Sequence, residues 1–208
     1  MTRRIVYVAY GERAVTEARA SVATLCEHNK TDVSIICNQK NMIGGVQVIE
    51  YDNPGAGSRW AKLNIDLLVE ADVIGYLDAD TRVRGDISPA FEMVESGWDL
   101  VIAPSVNQGA DVLKHIGPLE RNYTFEFIGN PWPLQLQAGV MFFSRERCRK
   151  LFAAWRQEWQ RYGDQDQAAL LRALHREPVR VGLLGKCWNS DNGAIVSHLF
   201  GRARKPER

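Results

Sequence analysis

Asp78 and Asp80, separated only by Ala79, close the apolar run Val73 to Leu77 and are followed by Thr81. In an extended segment, residues two apart point to the same side, so this spacing offers two carboxylates to one ion or group. Paired oxygen anions suit a hard divalent cation. Magnesium or manganese held by one or two carboxylates completes its shell with water and substrate phosphate, whereas calcium recruits more protein oxygens. The pair therefore fits a metal that bridges the chain to a nucleoside diphosphate. Taken alone, an Asp-x-Asp pattern is weak, because aspartates also cap helices and fill turns. Its context here is more defined: an apolar strand precedes it, and Thr81 to Ile87 lead into a helix start at Ser88-Pro89.

The elements that must position this pair read as strands alternating with helices. Ile5 to Ala9 is a short β-branched run stopped by Gly11, and a helical stretch follows from about Ala14 to His28. Val33 to Cys37 and Val46 to Tyr51 read as further strands, each bounded by Asn, Gly or Pro. A loop from Asp52 to Ser58 precedes a helix from Arg59 to Glu70, whose Leu63, Leu67 and Leu68 share a face, and the strand Val73 to Leu77 comes next. Trp98 to Ala103 and Ala138 to Phe143 are two more strands, separated by a long stretch rich in Asn, Gly and Pro of the kind that often forms a substrate-binding insert. In Arg145 to Tyr162, three-to-four spacing of Cys148, Leu151, Phe152, Trp155 and Trp159 predicts an amphipathic helix with both tryptophans in the core. The pattern is that of an α/β fold with a mostly parallel central sheet flanked by helices. In such sheets ligands gather beyond the carboxyl ends of the strands, where Asp78 and Asp80 fall.

With 208 residues the chain is expected to form one domain, 1–208. Its 45% hydrophobic and 25% charged residues match soluble globular averages and exclude disordered, fibrous and membrane classes. A formal net charge of +1 gives no field that would favour a polyanion such as nucleic acid. The basic ends, Arg3-Arg4 and the tail 202–208, fit either local phosphate contacts or a solvated terminus. Cys26, Cys37, Cys148 and Cys187 form no C-x-x-C pair, which speaks against zinc or a disulfide framework and for reduced thiols in a cytoplasm. Glu12 ends the first apolar run too early for a signal peptide, and no stretch reaches the length of a membrane span.

Tyr76-Leu77-Asp78-Ala79-Asp80-Thr81 through Gly85-Asp86-Ile87 resembles the corresponding segment of the glycogenin-like family 8 retaining glycosyltransferases. Three further segments resemble that family in the same order. They are Gln137-Ala138-Gly139-Val140-Met141-Phe142-Phe143; Asp166-Gln167 with Leu170 and Leu171 behind it; and Trp188-Asn189 followed by Val196-Ser197-His198-Leu199-Phe200-Gly201 and Lys205-Pro206. The resemblance implies a single domain of the GT-A fold and a UDP-sugar-dependent hexosyltransferase that retains anomeric configuration.

It also implies roles for residues. Asp78, Ala79 and Asp80 lie at the donor, and His198 joins the two aspartates as third ligand to manganese or magnesium. Ala9, Tyr10 and Gly11 seat the nucleoside, with Tyr10 able to stack on a base. Lys62 approaches the donor phosphates and Arg59 is a second candidate, although both also fit helix-surface cations. Gln137 and Gly139 approach the donor sugar; Gln137 stands where the family commonly has Asn, which bears on sugar choice. Asp166, with Gln167 beside it, lies near the reacting carbon, although an Asp at a helix start also serves as a cap, a part for which Asp164 is better placed. Gly201 and Lys205 reach the diphosphate, but their spacing is one residue longer than in the family, so Arg204 is an alternative.

The segment 105–136 is expected to shape the acceptor side, with Trp132 either a sugar-stacking platform or a packed loop anchor. Acceptors left open are glycan, lipid-linked glycan, protein and modified nucleic acid. Alternative readings are a haloacid-dehalogenase-like phosphatase, disfavoured because Thr81 directly follows the second Asp, and a nucleotidyltransferase, disfavoured because Tyr10 to Thr16 lacks a basic glycine-rich loop. A nucleotide-sugar-binding module without catalysis is a third.

Overall fold

The computed structural model of the chain describes residues 1–38, 45–52, 57–105, 113–163 and 165–200. Its first half runs β1 (Arg3–Val8), α1 (Glu12–His28), β2 (Asp32–Cys37), β3 (Gln47–Glu50), α2 (Gly57–Leu63), α3 (Ile65–Leu68), β4 (Val73–Leu77), β5 (Thr81–Val83), α4 (Ser88–Glu95) and β6 (Leu100–Pro104). The second half continues α5 (Pro118–Ile128), β7 (Leu136–Ser144), α6 (Arg149–Gln160), α7 (Asp166–Arg176), β8 (Val181–Leu183), a 3-10 turn Lys186–Trp188, and β9 (Val196–His198).

Strands buried on both faces read as apolar runs, and Ile5 to Val8 of β1, Val73 to Leu77 of β4 and Ala138 to Phe143 of β7 supply them. Seven strands form one sheet in the order β3-β2-β1-β4-β7-β6-β8. The pairs β1 with β2, β1 with β4, β2 with β3, and β6 with β8 are parallel, and only β7 runs the other way, between β4 and β6. The sheet is thus mostly parallel, with one reversed strand. On one face Val6, Ile74 and Phe143 pack with Leu151, Phe152 and Trp155 of α6 and Leu170 of α7. On the other, Ile5, Tyr7 and Phe142 pack with Leu25 of α1 and Phe91 of α4.

Several sequence boundaries shift. The helix expected over Arg59 to Glu70 is two short ones, broken at Asn64, whose side-chain amide donates to the Trp60 carbonyl at 2.7 Å. The long helix starts at Arg149, later than expected, and places Trp155 in the core; Trp159 is only partly buried, 5.7 Å from Trp60 between ring centroids. Within 105–136 the chain forms α5, and Leu113 and Ile116 pack on Ala168 and Leu171 of α7. All four cysteines are free thiols. Among the described residues, no helix is long and apolar enough to cross a membrane.

Candidate active site

The two aspartates converge by a turn, which corrects the expectation that strand pleating aligns them. Strand β4 stops at Leu77, and the Asp78 carbonyl then accepts from both the Thr81 amide (3.1 Å) and the Thr81 hydroxyl (2.8 Å). Thr81 is fully buried, its hydroxyl 2.9 Å from that of Ser21 on α1, and the Val83 amide donates to the Thr24 hydroxyl on the same helix at 3.0 Å. Pinned in this way, β5 pairs antiparallel with β9 in a register that sets Thr81 opposite His198. The Leu199 amide donates to the Asp80 carbonyl at 3.0 Å. A histidine 118 positions from Asp80 is thereby delivered to it: His198 Nε2 lies 3.1 Å from Asp80 Oδ1 and 3.6 Å from Asp78 Oδ2.

Ligand atoms of Asp78, Asp80 and His198 all lie within 4.8 Å of one another. Two carboxylates and an imidazole suit manganese or magnesium and leave coordination positions for water or phosphate oxygen, whereas a calcium cage takes more protein oxygens. The surroundings fit such an ion. Gly139 lies against the cluster, and a Cβ there would fall 2.4 Å from His198 Cε1 and 2.6 Å from Asp78 Oδ2, so only glycine leaves the ligands their place. The Tyr76 hydroxyl donates to Asp78 Oδ1 at 2.6 Å, so Oδ2 is the oxygen turned to His198. Burial, then the neighbouring Asp78 charge, push the Tyr76 pKa well above its ordinary value and keep the hydroxyl a donor.

A second charged pair faces the first. Lys62 Nζ sits 2.7 Å from Asp166 Oδ2 and 3.8 Å from Asp78 Oδ1, with only 8% of its side chain exposed, so it is no helix-surface cation. Burial alone pushes the Lys62 ammonium down, but the carboxylates of Asp166 and Asp78 outweigh it and leave it above its ordinary value. Burial likewise pushes Asp166 up, and Lys62 outweighs that, holding the carboxyl below the usual carboxylate range. Both groups are charged at neutral pH.

Asp166 opens α7 without capping it: the N-cap position is Gln165, and no side-chain bond closes the helix there. The Asp166 carbonyl accepts from the Trp155 indole at 2.8 Å, and the Gln167 amide donates to the Leu136 carbonyl at 2.8 Å. Deeper in α7, fully buried Arg172 binds Glu158 of α6 at 3.0 Å and Glu120 of α5 at 3.1 Å, which ties the three helices together. Asp166 thus stands on a braced element.

These groups share a cleft of about 1080 Å³ beyond the carboxyl ends of the strands. Tyr10, Arg59, Lys62, Asp78, Ala79, Asp80, Gln137, Asp166, Gln167 and His198 line it. Ala9 does not: it is fully buried, and its amide donates to the Ile36 carbonyl at 3.0 Å. Nor does Gly11, which is the N-cap of α1 at φ 83°, a left-handed conformation that glycine adopts without strain. Of the three expected nucleoside-seat residues, only Tyr10 reaches the cleft, its hydroxyl donating to the Tyr51 carbonyl. Arg59 Nη2 donates to Gln165 Oε1 at 3.1 Å. Trp132 is 65% exposed and does not anchor its loop by burial. Gly201, Arg204, Lys205, the remainder of the tail and Asp164 lie outside the described residues.

The cleft also holds residues that sequence reasoning missed. Arg13, Ala14 and Glu17 come from the start of α1, Ser105, Lys114, His115 and Gln135 from the acceptor-side segment, and Phe200 from beyond β9. Phe200 stacks on His198 with ring centroids 4.2 Å apart. Tyr76 and Asn189 carried no assigned role although both lie in segments of family resemblance.

No family model matches the sequence, and no curated protein matches it. Solved structures do. The galactosyltransferase LgtC, in complex with donor and acceptor sugar analogs, superposes with a TM-score of 0.66 at 15% identity, covering 94% of this chain and 86% of that one. The chain has the GT-A glycosyltransferase fold. Mouse xyloside xylosyltransferase 1 gives a TM-score of 0.63 at 13% identity, over 99% of this chain and 100% of that one. The glycosyltransferase GlyE of Streptococcus pneumoniae gives 0.60 at 18%, over 90% of this chain and 47% of that one. This is the fold that the motif resemblance implied.

Proposed function

We propose that this chain is a metal-dependent glycosyltransferase of the family 8 kind, which moves a hexose from a UDP-sugar to an acceptor with retention of anomeric configuration. The observation that carries this reading is the meeting of Asp78, Asp80 and His198 in the cleft that also holds the Lys62–Asp166 pair. A glycosyltransferase with this fold in complex with donor and acceptor sugar analogs supports it.

Breaking the bond from the anomeric carbon to the diphosphate builds negative charge on the departing phosphate and positive charge on the sugar. A divalent cation bound by Asp78, Asp80 and His198 would supply fixed positive charge for the diphosphate. Lys62, kept protonated by its carboxylate neighbours, adds a second positive charge that need not reorganise during the reaction. Asp166 is ionised and therefore serves as an anion facing the oxocarbenium-like centre, not as a proton donor. The amides of Gln137 and Gln167 provide neutral polar contacts for sugar hydroxyls. Tyr10, with Arg13, Ala14 and Glu17, forms the nucleoside end of the cleft, and the side of Ser105, Lys114, His115 and Gln135 admits the acceptor. The acceptor class stays open among glycan, lipid-linked glycan, protein and modified nucleic acid. Four free thiols favour a reducing compartment such as the cytoplasm.

Calorimetry of UDP binding with and without manganese, on the wild type and the Asp78→Ala, Asp80→Ala double variant, tests the reading. Metal-dependent binding that the double variant loses is the expected result. Binding that is absent, or indifferent to manganese, would sink the metal-bridged UDP site.

A further inference from the structure

Neutral imidazole has one N–H and one lone pair, and a metal takes the lone pair. Which nitrogen offers it depends on the hydrogen bond made by the other. His198 Nδ1 lies 2.7 Å from Asn189 Oδ1. The orientation of the Asn189 amide follows from its other neighbour, because Nδ2 reaches the Gln137 carbonyl at 3.4 Å and a carbonyl can only accept. Nδ2 therefore faces Gln137, Oδ1 faces His198, and an oxygen that can only accept places the proton on Nδ1. In the neutral ring the lone pair then falls on Nε2, whose neighbours Asp78 and Asp80 also only accept, an arrangement that a cation held between the three reconciles.

Burial removes the alternative of water as a partner: Asn189 is 1% exposed and His198 3%. The ring has little freedom to turn, with Phe200 stacked on it and Gly139 against its Cε1 edge. The backbone brings the two residues together by closing 189–198 on itself. The His198 amide donates to the Ser190 carbonyl at 2.8 Å, the Ile195 amide to the Cys187 carbonyl at 2.9 Å, and Ser190 bridges Ser197. Asn189 and His198 thus stand at the two ends of one loop.

We propose that Asn189 is a positioning residue that holds His198 in the Nδ1–H tautomer and so presents Nε2 to the cation. The role rests on the metal reading given above, and the test separates the two. Manganese alone is titrated into the protein without nucleotide, free ion being followed by electron paramagnetic resonance, for the wild type, Asn189→Leu and Asn189→Asp. Leucine matches the shape but cannot accept a hydrogen bond, while aspartate keeps the accepting oxygen and loses the donor to Gln137. The expected result is an affinity about 10–100-fold weaker for the leucine variant, with the aspartate variant at or above wild type. A folded leucine variant that binds as wild type does, or an aspartate variant as weak as leucine, overturns the role. Where circular dichroism shows that the leucine variant does not fold, the aspartate variant decides: wild-type affinity or better supports the role, and weaker binding overturns it. Wild type that leaves manganese free overturns the metal reading and this role with it, whereas failure confined to the variants removes only the role of Asn189.

Discussion

Lys62 and Asp166 each keep the other ionised in a place with little water, 2.7 Å apart. Asp166 has a depressed folded pKa, so its contribution to stability is fully present above the unfolded value of about 3.9 and is lost as pH falls through the lower folded value. Lys62 has a raised one, so its contribution is present below about 10.4 and is lost as pH rises through the higher folded value. The pair is therefore constant across neutral pH. Asp166→Asn leaves Lys62 buried with the Asp78 carboxylate 3.8 Å away. The expected cost is about 3 kcal/mol in urea unfolding at pH 7, and the gap to wild type narrows only below about pH 4, where wild type loses the same charge. A gap that stays level down to strongly acid pH would show that the charge of Asp166 is not what stabilises.

Two three-residue strands, β5 and β9, decide whether the site exists. Their closure depends on Gly193, where a Cβ would meet the Val196 carbonyl oxygen at 2.1 Å and the Cys187 carbonyl oxygen at 2.8 Å, both backbone atoms that cannot swing aside. Gly193→Ala is expected to cost about 1–3 kcal/mol and to abolish manganese binding by displacing β9. Gly117→Ala, with nothing within 4 Å, is the control that should do neither, both read by thermal melts and manganese titration. Strand β4 was legible because its apolar run stops abruptly at Asp78, and its bounds match the expectation. The pairing of β5 with β9 was not, since three residues carry no periodicity and their partner lies far away in sequence. The convergence of Asp78 and Asp80 was read correctly for the wrong reason: the Asp-Ala-Asp spacing suggested a pleat, while the hydroxyl and amide of Thr81 fold it as a turn. Asn64 interrupts a helix whose apolar face continues past it, because its side chain binds the Trp60 carbonyl, a choice invisible in a pattern of leucines. Asp166 was placed by resemblance alone; no spacing in the sequence connects it to Lys62.

Across the whole molecule, β1, β4 and β6 point their carboxyl ends into one cleft, and the reversed β7 brings Gln137 to the same rim and Gly139 against Asp78 and His198. Because Asp78, Asp80 and His198 come from opposite ends of this framework, an ion that binds them binds the folded state only. Manganese at about 100 times its dissociation constant should stabilise the protein by about 2.7 kcal/mol, or about 5–10 °C in melting temperature for a chain of this size. The Asp78→Ala, Asp80→Ala variant should show no such shift, and an equal shift in both would assign the ion to another place. The 118 positions between Asp80 and His198 also set an order of events as the chain is made. The sheet, its helices and both aspartates can be in place while β9 has yet to be synthesised, and a nascent chain at that stage has a cleft but no means of gripping a cation. A chain stalled or clipped before β9 would look nearly native and be inert, so the competence of each molecule is decided by a three-residue strand made well after both aspartates.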